Sequence, residues 1–385
     1  MAQPELSIVI PALNEERTIA HCVGKAQKAI KSLGVPGEVV VADNGSTDRT
    51  RAIAEGLGAR VVTVEGKGYG RALRSGFAAA RGRFLVMGDA DGSYDFEEAS
   101  VYVEKLRGGR DLVVGNRFRG GIDPGAMPFL HRYLGTPVLT AIMNVLFGVG
   151  LGDVNCGMRG LRKEAFERMG LKADGMEFAT EMLVKASLVG LKIAEVPCRL
   201  HKDLRDRPPH LRTWRDGWRH LRFMLLFSPT GTFIAPGFAC AFVGALGLAG
   251  LTARDVLAPE AAAWLTSRHM LTALLFWLTG SSVLGLGITA QEADYQERYD
   301  KGNALSAFLH RTFSLEKGLI LGVALIALGS AVLAYLPLSY YGHVLPRGSD
   351  LLRLDAAILA IAAVLTGVQC VFVSFALGLF YLRVK

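Results

Sequence analysis

RFLVMGDADGS, residues 83–93, reads as a short apolar strand that stops at a glycine and delivers two aspartates, two positions apart, into a turn. A continuous apolar run bounded by turn residues is the pattern of a strand covered on both faces. The pattern recurs along the chain at LSIVI (6–10), EVVVA (38–42), RVVTV (60–64) and DLVVG (111–115). Helical segments are expected between these strands, one after Asn14 and others over 47–57, 70–80 and 95–107. Strand–helix alternation of this kind implies an α/β fold, Rossmann-like, with a mostly parallel sheet. Such sheets bind ligands beyond the carboxyl ends of their strands. Polar loops follow the first, second and fourth strands: PALNEE (11–16), DNGSTD (43–48) and DADGS (89–93).

These three loops, in this order, resemble the Pro-x-x-Asn-Glu, Asp-x-Gly-Ser-x-Asp and Asp-x-Asp motifs of family 2 glycosyltransferases of GT-A fold. GNRFRGG (115–121), DVNCGMRGLRKEAF (153–166) and GMEFATEMLVKA (175–186) extend the likeness toward polyprenyl-phosphate enzymes of the dolichyl-phosphate mannose synthase group. The resemblance implies transfer of a single sugar, with inversion, from a UDP- or GDP-sugar to a polyprenyl (dolichyl or undecaprenyl) phosphate. It covers about residues 1–228.

Asp89 and Asp91 are two apart, so an extended backbone projects both to one face. Paired hard oxygens suit Mg²⁺ or Mn²⁺, which acts as Lewis acid on a departing diphosphate. Ser93 stands where many mannose synthases carry a glutamine, leaving the third protein ligand open. By resemblance, Pro11, Leu13, Asn14, Glu15, Asp43, Lys67 and Ala90 form the nucleotide pocket, with Asp43 on the base and Lys67 on the diphosphate. Arg117 follows the fifth strand, and guanidinium matches phosphate bidentately. Asp153 and Arg159 fit an Asp-x-x-x-Gly-x-Arg pattern; with Asp89, Asp91 and Arg117 they form the expected catalytic set. Glu177 and Glu181 are open between orienting the sugar and capping a helix. No Gln-x-x-Arg-Trp occurs, which disfavours processive polymer synthesis.

The charge pattern divides the chain. Residues 1–228 hold 33 Lys/Arg and 26 Asp/Glu, and residues 229–385 hold only 10 and 9. A mean hydropathy of +0.30 with 20% charged residues excludes a disordered chain and a fully soluble enzyme. Spans of about 20 apolar residues are expected near 230–252, 269–290, 318–338 and 356–382. The domains are then a GT-A nucleotide-sugar domain (1–198), a basic juxtamembrane segment (199–228) and a membrane domain (229–385). Arg199 to Arg222 carries eight Lys/Arg against three Asp, so the positive-inside rule puts the first domain and both termini in the cytoplasm. Tyr133 to Gly152 is uncharged, yet a crossing there would move that basic segment outside. It reads as a helix lying on the bilayer. No cleavable signal is expected at the N-terminus. Five cysteines without CxxC spacing read as reduced thiols.

A phosphate monoester is already largely dianionic at neutral pH, so as acceptor it needs cations rather than a general base. Lys202, Arg205, Arg207, Arg212, Arg215, Arg219 and Arg222 lie just before the first span. Arg117, Arg132, Arg205 and Arg212 are the expected contacts to acceptor phosphate. Transfer to a diacylglycerol-type hydroxyl and a non-catalytic nucleotide-sugar scaffold are the alternatives. The expected partners are nucleotide sugar, polyprenyl phosphate and the bilayer, and no nucleic acid; polar groups within the spans (Ser281, Ser282, Gln369) are compatible with a homo-oligomer.

Overall fold

The computed structural model describes residues 3–205, 213–257, 267–296, 315–341 and 350–382. They form two compact units, residues 1–227 and 228–385. In the first, strands β1 (Leu6–Ala12), β2 (Gly37–Asp43), β3 (Arg60–Thr63), β4 (Phe84–Met87) and β5 (Leu112–Asn116) fall on the five apolar runs. Helices α1 (Ile19–Leu33), α2 (Thr50–Gly56), α3 (Tyr69–Ala79) and α4 (Ala99–Arg107) separate them, and α5 (Arg117–Gly120), α6 (Thr136–Phe147), α7 (Lys163–Met169) and α8 (Phe178–Leu188) follow β5. Two further strands, β6 (Arg159–Arg162) and β7 (Ile193–Pro197), complete a sheet of order β3-β2-β1-β4-β6-β5-β7. Every pairing is parallel except those of β6, which runs antiparallel between β4 and β5. Leu6, Ile8, Ile10, Phe77, Phe84, Phe96 and Phe178 are fully buried in the core this sheet shares with its helices.

Register decides where the polar loops go. Ala12 faces Asp43, Asp43 faces Thr63, and Val9 faces Met87. The segments that follow β1, β2, β3 and β4 therefore leave one edge of the sheet together. Because β6 opposes both its neighbours, β5 points the same way as β4, and the loop before Arg159 joins that edge.

At the opposite edge, Glu38 of β2 ties three strands together. Its carboxylate accepts hydrogen bonds from Ser7 Oγ (2.8 Å), Arg60 Nε (3.0 Å) and the Arg81 amide (2.6 Å).

Tyr133 to Gly152 is part of the first unit: helix α6 (Thr136–Phe147) buries Thr136, Thr140 and Met143 and leaves Val138 and Val145 exposed, as are Tyr133 and Leu134 just before it. It contacts α9 (Thr213–Leu226), whose Trp214 and Trp218 are exposed. Exposed aromatic and aliphatic side chains on neighbouring helices fit an interfacial surface.

The second unit contains α10 (Ala235–Leu257), α11 (Ser267–Gln296) and helices over Leu315–Tyr341 and Asp350–Leu382. Apolar spans of membrane-crossing length lie at Thr230–Ala253, His269–Ala293, Leu315–Pro337 and Leu354–Leu379. Gly244 and Gly280 let α10 and α11 approach: a Cβ on Gly280 would fall 2.8 Å from the Ala241 Cβ. Across α11 and the last helix, Trp277 Nε1 donates to Thr366 Oγ1 (2.9 Å) and Ser281 Oγ to Gln369 Oε1 (2.7 Å).

Burial alone would raise the pKa of Glu38, but the Arg81 amide, Arg60 and Ser7 outweigh it and hold the carboxyl below its ordinary value of 4.5. A depressed folded-state pKa stabilises above the unfolded value and is lost as pH falls through the folded one. Glu38→Gln is expected to cost about 1–3 kcal/mol at neutral pH. The variant should also lose less stability than wild type as pH falls below the ordinary value. Fluorescence melts in detergent at several pH values measure both effects.

Candidate active site

The first two polar loops are knitted into one surface. Asn14 adopts a left-handed conformation (φ 56°), which asparagine tolerates better than most side chains. Its amide donates to Ser46 Oγ (3.0 Å), and its Oδ1 accepts from the Thr47 amide (2.8 Å). The Glu15 amide donates to Thr50 Oγ1 (2.7 Å) and the Glu16 amide to Asp48 Oδ2 (3.1 Å). Asp48 is thus a turn anchor. Against the effect of burial, Thr50 and neighbouring amides hold its carboxyl below the usual range. Asp43 is buried at the end of β2, where its Oδ1 accepts from the Ser46 amide (3.1 Å). Pro11 is buried in the ladder with β2, and Leu13 is half-buried just beyond it. Lys67 is exposed on the loop between β3 and α3, and the next amide, Gly68, donates to Asn44 Oδ1 (3.3 Å).

The aspartate turn lies beside this surface. Tyr69 donates its hydroxyl to Asp89 Oδ1 (2.9 Å). Asp91 Oδ1 accepts from the Ser93 amide (3.0 Å) and from Ser93 Oγ (2.6 Å), so Ser93 orients the second aspartate. Ala90 between them is buried. Burial and the neighbouring Asp91 charge push the Asp89 carboxyl up to about 6, against the opposing effects of Tyr69 and Arg205. The Cys22 thiol, which meets the Asp89 carbonyl, is pushed up to about 12 by burial.

Arg205 closes the cluster. Its Nη2 stands 2.6 Å from Glu15 Oε1, its Nε donates to Glu15 Oε2 (3.1 Å), and its Nη1 stands 3.2 Å from Asp91 Oδ2. Glu15 is also held by Thr18 Oγ1 (3.1 Å). The backbone of the same segment bonds to the turn, with the Leu204 amide donating to the Asp91 carbonyl and the His201 amide to that of Ser93, each 2.9 Å.

The remaining expected residues divide. Arg117 and Asp153 form a buried bidentate pair, with Nε and Nη2 donating to the two carboxylate oxygens at 2.6 and 2.8 Å. The Arg117 amide bonds the same carboxylate (3.1 Å), leaving Nη1 outside the pair. Arg159 is fully buried on β6; its Nε donates to the Cys156 carbonyl (3.0 Å), Nη2 to that of Val154 (2.8 Å), and Nη1 to that of Ala179. In this arrangement it braces the 153–157 loop against α8 (Phe178–Leu188). Glu181 pairs with Lys185 (2.8 Å) and accepts from the amides of Lys172 and Ala173, a helix-holding role. Glu177 Oε2 is buried with no hydrogen-bond partner among the described residues. Arg132 is half-buried next to the exposed Tyr133 ring, 5.5 Å from its centroid. Arg119 is exposed and reaches Glu195 at 3.5 Å. Arg207 and Arg212 lie outside the described residues.

Tyr69, Tyr94 and the Glu15–Arg205 pair were not singled out from sequence. Tyr94 Oη accepts from the Gly157 amide (2.9 Å), joining the aspartate turn to the 153–157 loop. The position of Tyr69 after a glycine-rich strand-end loop was the one available signal.

The donor set fits a hard divalent ion whose remaining ligands come from phosphate. Asp89 and Asp91 offer carboxylate oxygens on one turn, and a guanidinium already stands as a cation against Asp91. Among the described residues, no group of three or more His, Cys, Asp or Glu is placed to hold a metal. Substrate oxygens would complete the shell.

Residues 7–170 match the model of glycosyl transferase family 2, and residues 288–381 match that of the glycosyltransferase family 2 C-terminal transmembrane region. The low-salt glycan biosynthesis hexosyltransferase Agl6 of Haloferax volcanii is 39% identical over 380 residues, covering 97% of this chain and 89% of that protein. A dolichyl-phosphate hexose transferase of the same organism is 32% identical over 199 residues, covering 50% of this chain and 81% of that protein. Among solved structures, glucosyl-3-phosphoglycerate synthase from Mycobacterium tuberculosis with phosphoglyceric acid aligns over 58% of this chain and 80% of its own. Its identity is 24% and its TM-score 0.47.

Removing one partner of a buried ion pair strands the other charge, at a cost of about 3–5 kcal/mol. Asp153→Ala is therefore expected to lower the melting temperature strongly, and Asp153→Asn, which keeps an acceptor oxygen for Arg117, less so. A wild-type melting temperature for Asp153→Ala would show that the pair does not hold the loop.

Proposed function

The chain belongs to glycosyltransferase family 2, and we propose that it transfers one sugar from a UDP- or GDP-sugar to a polyprenyl phosphate at the cytoplasmic leaflet, with inversion. The observation that carries this reading is the convergence of Asp43, Glu15, Asp89 and Asp91 on one sheet edge, in a chain whose C-terminal part carries the family's transmembrane region. The dolichyl-phosphate hexose transferase among the relatives supports the acceptor class.

In this reading the buried Asp43 carboxylate accepts from the nucleobase, with Pro11, Leu13 and Asn14 lining the base and ribose pocket. Lys67 reaches toward the diphosphate from its exposed loop. Asp89 and Asp91 hold Mg²⁺ or Mn²⁺, with Tyr69 and Ser93 fixing the carboxylate orientations. The bound ion supplies Lewis-acid stabilisation of the leaving diphosphate. An oxygen of the lipid phosphate attacks the anomeric carbon as the bond to the nucleotide diphosphate breaks. Arg132, Arg205 and Arg212, with Arg117 through its remaining Nη1, neutralise the acceptor. Asp153 and Arg159 act by position, one holding Arg117 and the other the loop beside the turn. The basic segment 199–222 supports a cytoplasmic catalytic unit by the positive-inside rule.

Glu177 favours a second reading, since a buried carboxylate oxygen without a partner among the described residues is what a general base for a lipid hydroxyl would require. The two readings separate in one assay. Protein in detergent is given each nucleotide sugar with Mn²⁺ and either polyprenyl phosphate or diacylglycerol, and nucleotide release is measured. Release only with polyprenyl phosphate is expected, with Asp91→Asn slowed at least about 100-fold. Turnover on diacylglycerol that Glu177→Gln abolishes would establish the hydroxyl acceptor instead. Full turnover by Asp91→Asn would remove the basis of both.

A further inference from the structure

We propose that Arg205 competes with the divalent cation for Asp91, so that binding of metal and donor frees this guanidinium for the acceptor. The proposal rests on the reading of Asp89 and Asp91 as the metal carboxylates.

Three carboxylates, Glu15, Asp89 and Asp91, act on one another here, and Arg205 is in direct contact with two of them. Its side chain is 14% exposed, so the interactions are only weakly screened by solvent. The segment that carries it is fixed in two different ways. Its first half is held away from the turn: the Cys198 amide donates to the Asn116 carbonyl (3.1 Å), the Leu200 amide to that of Gly121 (2.9 Å), and the Asp123 amide back to Leu200 (2.9 Å). Asp123 also binds Arg199 Nε (3.0 Å) and contacts His201 Nδ1 (2.9 Å). The second half is fixed to the site itself, by the Leu204 amide on the Asp91 carbonyl and by Arg205 on Glu15 and Asp91. Leu204 covers Gly92, where a Cβ would meet its side chain at 2.8 Å, yet Leu204 remains 51% exposed. Little apolar burial therefore opposes its release.

A divalent ion held by Asp91 would compete for the carboxylate that Arg205 Nη1 approaches at 3.2 Å, the longest of its three contacts. It would also repel the guanidinium beside it. Attraction to Asp91 becomes repulsion from the loaded site, while an incoming phosphate dianion offers the guanidinium a new bidentate partner.

The test is Mn²⁺ binding to the full chain in detergent, without nucleotide, measured by electron paramagnetic resonance. Arg205→Ala is expected to bind Mn²⁺ at least about tenfold more tightly than wild type, because a competing charge is removed. Arg205→Gln should give the same result if the alanine variant fails to fold, and Arg205→Lys should lie between. Hydrogen exchange across residues 201–205 should increase in wild type when Mn²⁺ is added. Equal or weaker Mn²⁺ binding by both neutral variants, or unchanged exchange in metal-loaded wild type, would overturn the proposal. Binding that Asp91→Asn leaves intact would instead remove the metal site on which the proposal rests.

Discussion

Negative charges gathered at one edge of a sheet constrain everything around them. The carboxyl ends of β1 and β4 bring Glu15, Asp89 and Asp91 to the same place, and burial there removes the solvent that would screen them. Such a cluster is stable only with compensating positive charge, and the fold supplies it from outside the sheet through Arg205. The raised Asp89 carboxyl records the same tension, since its Asp91 neighbour pushes it up while Arg205 and Tyr69 pull it down. A cluster this negative, at the carboxyl edge of a mostly parallel sheet, suits a hard cationic ligand.

Much of this architecture was legible because buried parallel strands are written as local apolar runs. LSIVI, EVVVA and RFLVM each have too many consecutive apolar residues for a surface strand, and their polar continuations marked the binding edge. Strand β6 escaped the same reading. Its residues Arg159–Arg162 begin and end with arginine, and the strand is fixed by neighbours on both sides rather than by its own composition. Charge logic keeps Tyr133 to Gly152 out of the spanning segments, but which residues of α6 are buried depends on packing that no local pattern encodes.

The site divides along the same line. Loops interlocked over short distances, such as Asn14 with Thr47, carried motif signals. Pairings between distant segments did not: Glu15 and Arg205 are 190 residues apart, and Tyr69 reaches Asp89 from a different loop. Arg117, Asp153 and Arg159 were legible as important positions, but their side-chain partners were not. The sequence presents a guanidinium as a phosphate ligand, whereas the folded chain engages two nitrogens of Arg117 with Asp153 and directs Arg159 to three backbone carbonyls. A buried arginine surrounded by carbonyls and one carboxylate is a scaffold member first.

The position of Arg205 then acquires a physical logic. Arginine keeps its charge at any physiological pH and presents several donors in a planar fork, so it can exchange a carboxylate for a phosphate without a proton moving. Lysine in its place would neutralise a similar charge but could not hold Glu15 through two nitrogens while reaching Asp91 with a third. The segment ending at Arg205 starts at β7 and lies across the aspartate turn; the chain beyond it leads to α9, with its exposed tryptophans. A charge carried on that segment is therefore tied through the backbone to both the sheet edge and α9. The tie is made by one arginine whose partners are carboxylates.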